Sequence, residues 1–252
     1  MRANAQGGVQ LRLDSIDALE THYTPRSSPR PWRQNATFGD GAGNQLLRLL
    51  GFDQVTRGEG GIVTASDPEA QPGAILTRFA DQYGRAVAMA FSDTQAPEGA
   101  DGSDVFLDID GLRGSVNFQL LDQGCVYPTF YSKLFFDLRE EMAETTRTVR
   151  KAGSGVWAED STIDGFTLES RDQLTTELTI LPKLFRRLAE YLALDNTGGV
   201  DLGGFSAFLE AKADRLFTVP DGQFTHLDTL VERYGQNLRL KMPPEQLVFI
   251  EN

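Results

Sequence analysis

The segment ILTRFADQYGRAVAMAF, residues 75–91, limits the fold more than any other stretch. Two apolar arms flank a turn at Asp81–Gly84, so the chain must form an antiparallel strand pair there. That pair cannot be stapled to the rest covalently. With Cys125 the only cysteine, neither an intrachain disulfide nor a thiolate metal cage can form, and stability has to come from packing. Cys125 itself reads as a buried, inert thiol. At 252 residues and 40% hydrophobic content, the chain can bury one large domain, or one domain with an appendage.

Other elements follow from local signals. Residues 9–16 are β-branched and alternating enough for a strand, and the Pro-rich run TPRSSPRPW after them is loop. NQLLRLL (44–50) is helical and stops at Gly51. Residues 53–73 look like an insertion with at most one brief strand near Ile62 and Val63, and VFLDI (105–109) reads as a short strand. A helix is expected from Ser115, an N-cap, to Gly124, a C-terminal stop. A longer one is expected over 134–151. Beyond Asp160, two helical pieces separated by Pro182 occupy 171–194. GGFSAFLEAKA and HLDTLVERYG follow as shorter helices, then LRLKM and QLVFI as strands. Trp157 is expected to anchor the end of the long helix in the core. The cations Lys183, Arg186 and Arg187 are expected on the solvated face of an amphipathic helix.

The formal charge of −12 disfavours a protein that coats nucleic acid, since non-specific affinity scales with the cations presented. An acidic enzyme with a small basic cleft is compatible with it. No apolar run approaches the ~20 residues of a membrane span. The start, MRANAQGG, lacks the apolar centre of a secretory signal, so the chain as written reads as cytoplasmic. His22 and His226 read as solvated or hydrogen-bonded rather than as a zinc pair.

The remaining puzzle is RLDSIDALET (12–21), which puts Arg12, Asp14, Asp17 and Glu20 where a strand ends. Charge facing water explains each residue singly. Their order with later features does more: DQYGR (81–85), LLDQG (120–124), VYPTFY (126–131) and GVW (155–157). This series, over about 9–160, resembles the staphylococcal-nuclease (thermonuclease) family. The resemblance implies an α+β fold built on an OB-type β-barrel capped by helices, and calcium-dependent hydrolysis of phosphodiesters in single-stranded or locally opened DNA or RNA. It implies Arg12 and Arg85 as grips on the scissile phosphate and Asp17 as a calcium ligand. Ala18 would offer its backbone carbonyl. Glu20 would act on calcium through a water and as candidate general base, and Phe130 or Tyr131 as a platform for a base. Such roles suit the residue types: calcium takes several oxygen ligands, and a guanidinium fork binds two phosphate oxygens. Tyr83 is expected to pack at its turn.

Two departures accompany the resemblance. Ala18 stands where the family has threonine. The family's first two strands, with a further metal-binding aspartate, have no counterpart before Leu11. Truncation, replacement by the strands LRLKM and QLVFI, or self-association through an open sheet edge would each account for the second departure. Asp14 is a weak substitute ligand, because a regular strand would turn it away from Asp17. The expected organisation is a thermonuclease-like OB-fold domain over 1–160 and a C-terminal α/β extension over 161–252, mainly helical, packed on it. The rival class is a catalytically inactive binding or scaffold module that keeps the fold.

Overall fold

The computed structural model describes residues 7–195 and 197–251. The expected hairpin is its central feature: β5 (Gly73–Ala80) and β6 (Ala86–Ser92) pair antiparallel. The turn is tied by Asp81, whose Oδ1 accepts the backbone N–H groups of Tyr83 and Arg85. β6 is buried over residues 86–91, because β1 (Leu11–Leu13) lies parallel on its other side. The opening strand is not continuous to Ile16, however. It breaks at Asp14 and Ser15, with Ser15 in the left-handed region at φ 67°, and resumes as β2 (Ile16–Asp17) against β7 (Tyr127–Pro128). Buried Asn117 holds the break in place, giving its amide hydrogens to the carbonyls of Asp14 and Ala88 and accepting from the Ala90 N–H.

Helix α1 (Ala36–Leu49) starts at the Asn35 cap, about two turns earlier than its apolar run suggests. It lies close over residues 19–21: a Cβ on Gly39 would stand 3.2 Å from the Thr21 methyl. The 53–73 insertion holds a full hairpin, β3 (Gln54–Arg57) with β4 (Val63–Asp67), rather than one strand. Nor is VFLDI a strand. Asp108 instead caps α2 (Ile109–Gly114) through the Gly111 N–H, and Ser115 caps α3 (Val116–Asp122) as expected. β8 (Phe130–Tyr131) and the long α4 (Phe136–Lys151) follow. Gly124 and Gly155 then meet: Val156 N–H donates to the Gly124 carbonyl, and a Cβ on Gly155 would stand 2.1 Å from that oxygen. Both glycines have positive φ, so LLDQG and GVW, apart in sequence, close one contact that no larger residue fits. Trp157 packs edge-on to Tyr127 at 4.8 Å, in the core as expected.

The C-terminal part is evenly mixed rather than mainly helical. It contains β9 (Phe166–Thr167), α5 (Pro182–Leu192), α6 (Phe205–Lys212), β10 (Arg215–Thr218) and β11 (Phe224–His226). One helical turn, α7 (Leu227–Leu230), then gives way to β12 (Val231–Tyr234), β13 (Asn237–Leu240) and β14 (Leu247–Phe249). HLDTLVERYG is thus helical only over Leu227–Leu230, and VERY is strand, paired residue by residue with β13 from Val231 opposite Leu240 to Tyr234 opposite Asn237. The terminal strands do not fill a place beside β1: β13 pairs with β12 and β9, and β14 lies between β10 and β8. Among the described residues no sheet closes on itself, so the fold is α+β with separate small sheets and no closed barrel. No helix there is long and apolar enough to cross a membrane.

Two apolar cores result. One gathers β6, α3, α4 and Val248 of β14; the other gathers α5, α6 and the C-terminal strands with Leu19, Tyr127, Val149 and Trp157. Each takes residues from both sides of residue 160. The C-terminal part therefore shares both cores with the first, and also a sheet through β14 and β8.

Candidate functional site

Parallel pairing sets Arg12 beside Val87, so Arg12 shares a sheet face with Arg85, two residues earlier. Asp17 stands on β2 and Glu20 three residues on. Glu20 is fixed by buried Gln34: its backbone N–H donates to Gln34 Oε1, its carbonyl accepts from Gln34 N–H, and Gln34 Nε2 reaches the Ile180 carbonyl just before α5. The structure thus brings together the residues singled out in sequence. Arg12 lies in Coulombic reach of Asp17, and Glu20 in reach of Asp17 and Arg85.

The arginines differ in their partners. Arg85 is held by Asp81, with Nε at 2.7 Å from Oδ2. Arg12 donates to the Tyr131 hydroxyl at 2.8 Å and lies over the Tyr131 ring at 4.7 Å. That acceptor is neutral, so the Arg12 charge is not matched by it. Beside Arg12 and Asp17 opens a cleft of about 160 Å³ floored by Ile16, Ala42, Leu46 and Leu120.

Between the carboxylates lies a residue that the sequence had placed in water. Arg186 of α5 donates Nη2 to Asp17 Oδ2 at 2.8 Å and Nη1 to Glu20 Oε1 at 2.5 Å. The three side chains are only 20%, 15% and 22% exposed. The expectation of solvated cations on this helix is overturned throughout: Lys183 and Arg187 both bind Asp214, and Arg187 also binds Glu190. Their burial comes from Asp214 just before β10, Phe249 of β14 and the 17–23 segment, which cover the face that looked solvated. Sequence offered one signal, the pair Arg186–Arg187 inside a strongly amphipathic helix, but nothing in it names partners so far away.

Burial and charge push the two carboxylates in opposite directions. Asp17 would be raised by burial, but Arg186 and Arg12 hold it below the usual carboxylate range. Glu20 is raised: burial outweighs Arg186, and the Asp17 charge adds to it. Burial alone would also work against a charged Arg186, yet Asp17 and Glu20 more than reverse this and keep the guanidinium charged. Asp14, raised by burial, accepts from Ser15 Oγ and faces Arg12 and Arg78 rather than the Asp17 pair.

Of the proposed platform residues, Phe130 is wholly buried and cannot offer a face to a base. The strand alternation of β8 turns it into the core and leaves Tyr131 the outward residue. Tyr83 does not pack at its turn either; it is 70% exposed, with the Arg85 guanidinium 5.5 Å from its ring centre. Sequence reading also passed over a strip next to Tyr131. Exposed Phe135 and Phe136 carry Arg78 and Arg139 over their rings, and Lys133 lies over Phe79. The stretch YSKLFFDLR was its available signal. Cys125 is half-buried, and burial pushes its thiol up, so it stays protonated.

The residues as folded do not fit a calcium ion. Calcium takes six to eight oxygens, whereas Asp17 and Glu20 both already bind Arg186. Among the described residues no group of three or more His, Cys, Asp or Glu is placed to hold a metal. In comparisons with known proteins, no family model and no curated protein matches the chain.

Proposed function

We propose that the chain is a thermonuclease-type protein that acts on phosphodiesters of single-stranded or locally opened DNA or RNA. The observation that carries this reading is the convergence of Arg85, from the turn of the β5–β6 hairpin, with Arg12, Asp17 and Glu20 of the opening stretch. The contact between Gly124 and Gly155 supports the resemblance, since it gives two of its motifs a joint structural purpose. Arg12 and Arg85 would bind non-bridging phosphate oxygens. Glu20, whose raised proton affinity suits a general base, would take the proton of a water attacking phosphorus as the phosphorus–oxygen bond to the leaving nucleoside breaks. The cation–aromatic strip of Arg78, Phe135, Phe136 and Arg139 would carry the adjoining single strand by stacking and charge.

Calcium dependence, implied by the resemblance, is the part of this reading that the site geometry does not favour. The second reading, a binding module without hydrolysis, is favoured by the same fact: Arg186 holds both carboxylates. Release of acid-soluble nucleotides from denatured DNA separates the two. Cleavage by the wild-type chain that is lost in Glu20→Ala and Arg85→Ala establishes hydrolysis. Binding of denatured DNA without cleavage establishes the module.

A further inference from the structure

Arg186 is not a side chain that can step aside easily. Its helix buries Leu184, Phe185, Leu188 and Ala189 completely. Both cationic neighbours are tied to Asp214, and the residue before Pro182, Leu181, donates its N–H to buried Thr162 Oγ1. Gln34 links the Glu20 backbone to Ile180, so the carboxylate and the start of the helix are held as one body. A mobile strap that withdraws to admit a metal would have to expose all of this. It would also leave two buried carboxylates without their cation, which costs several kcal/mol per ion.

Charge balance agrees. Arg12, Arg78, Arg85 and Arg186 face Asp14, Asp17, Glu20 and Asp81, so the cluster is neutral with no divalent ion present. Asp17 and Glu20 are bonded to Arg186 and Asp81 to Arg85, while Arg12 gives its hydrogen bond to a hydroxyl and is the arginine left to meet an anion. We propose that Arg186 is the resident cation of this site, standing where the resemblance puts calcium, and that the site binds phosphodiesters without a divalent ion. This rests on the phosphodiester reading above for its ligand, but not for the role of Arg186.

The experiment has two arms on the full chain. In the first, a labelled single-stranded oligothymidylate is titrated by fluorescence anisotropy in chelator and in millimolar calcium. Equal affinity in both is expected, with Arg12→Ala weaker by about tenfold as a charge-assisted contact is lost. Binding that needs calcium overturns the proposal. No binding in either condition removes the phosphodiester reading, and the second arm then judges Arg186 alone. There, calcium is titrated calorimetrically into the wild type, Asp17→Asn and Arg186→Gln. The expected result is no saturable heat in the wild type beyond that of Asp17→Asn, and a new saturable site in Arg186→Gln, where both carboxylates are released. A wild-type calcium site that Asp17→Asn removes overturns the proposal, as does a folded Arg186→Gln that gains no site. If Arg186→Gln does not fold, the wild-type and Asp17→Asn titrations still decide the matter.

Discussion

Helices α4 and α5 look alike in sequence, each an amphipathic run with cations beside apolar residues, and they do opposite things. Along α4, Arg147 pairs with Glu144 on its own exposed face, and only in the last turn does Arg150 reach a buried partner, Glu245. Along α5, Lys183, Arg186 and Arg187 all bind carboxylates contributed by other segments. An amphipathic pattern identifies the apolar face of a helix. It does not say whether the opposite face meets water or a second layer of protein.

The largest test of this contrast is Arg186→Met, which strands two part-buried carboxylates. It should cost about 3–5 kcal/mol of unfolding free energy in urea. A cost near that of a surface substitution would mean that α5 is solvated after all. The apolar faces, in contrast, should behave alike. Met142→Ala on α4 and Leu188→Ala on α5 remove fully buried side chains, and each should cost about 2–5 kcal/mol. A large asymmetry between them would show that the difference extends beyond the cations.

Next in size is Tyr131→Phe, which keeps the ring under Arg12 but removes its hydroxyl acceptor. A loss of about 1–2 kcal/mol is expected, along with weaker oligonucleotide binding as the Arg12 guanidinium loses its orientation. The pH dependence sharpens the contrast through Asp214. Burial would raise this carboxyl, but the Arg187 hydrogen bond and the Lys183 charge pull it from 3.8 to about 2. Because the folded value is the lower one, the stabilisation is complete above the unfolded value and is lost as pH falls from about 4 toward 2. Thermal melts over that range should show a steeper acid slope for the wild type than for Asp214→Asn. The smallest effect belongs to α4: Arg147→Met should change stability by no more than about 0.5 kcal/mol.

Local features were legible in the sequence wherever one segment supplies both cause and effect. The 75–91 hairpin, the Ser115 cap and the stop at Gly124 depend on neighbours a few residues away; the Trp157 anchor was legible from the size of the side chain, although its ring partner Tyr127 comes from another segment. The errors share a cause as well. HLDTLVERYG has a helical composition, yet its second half, VERY, pairs with β13, and Phe130, an aromatic suited to a base, is turned inward by β8. In both, sheet pairing outvoted the local pattern.

For the site, residue types and order were enough to mark Arg12, Asp17, Glu20 and Arg85 as belonging together, since strand register and a tight turn position them. What tertiary structure alone decided is the cation they surround. Arg186 lies 166 residues beyond Glu20 and 169 beyond Asp17. No periodicity spans such a distance; only the packing of α5 against the 19–23 segment, through Tyr23 on Phe185 and Gln34 on Ile180, brings the guanidinium to the carboxylates. Once it is buried there, electrostatics holds it, because neither a lone guanidinium nor a lone carboxylate is stable away from water.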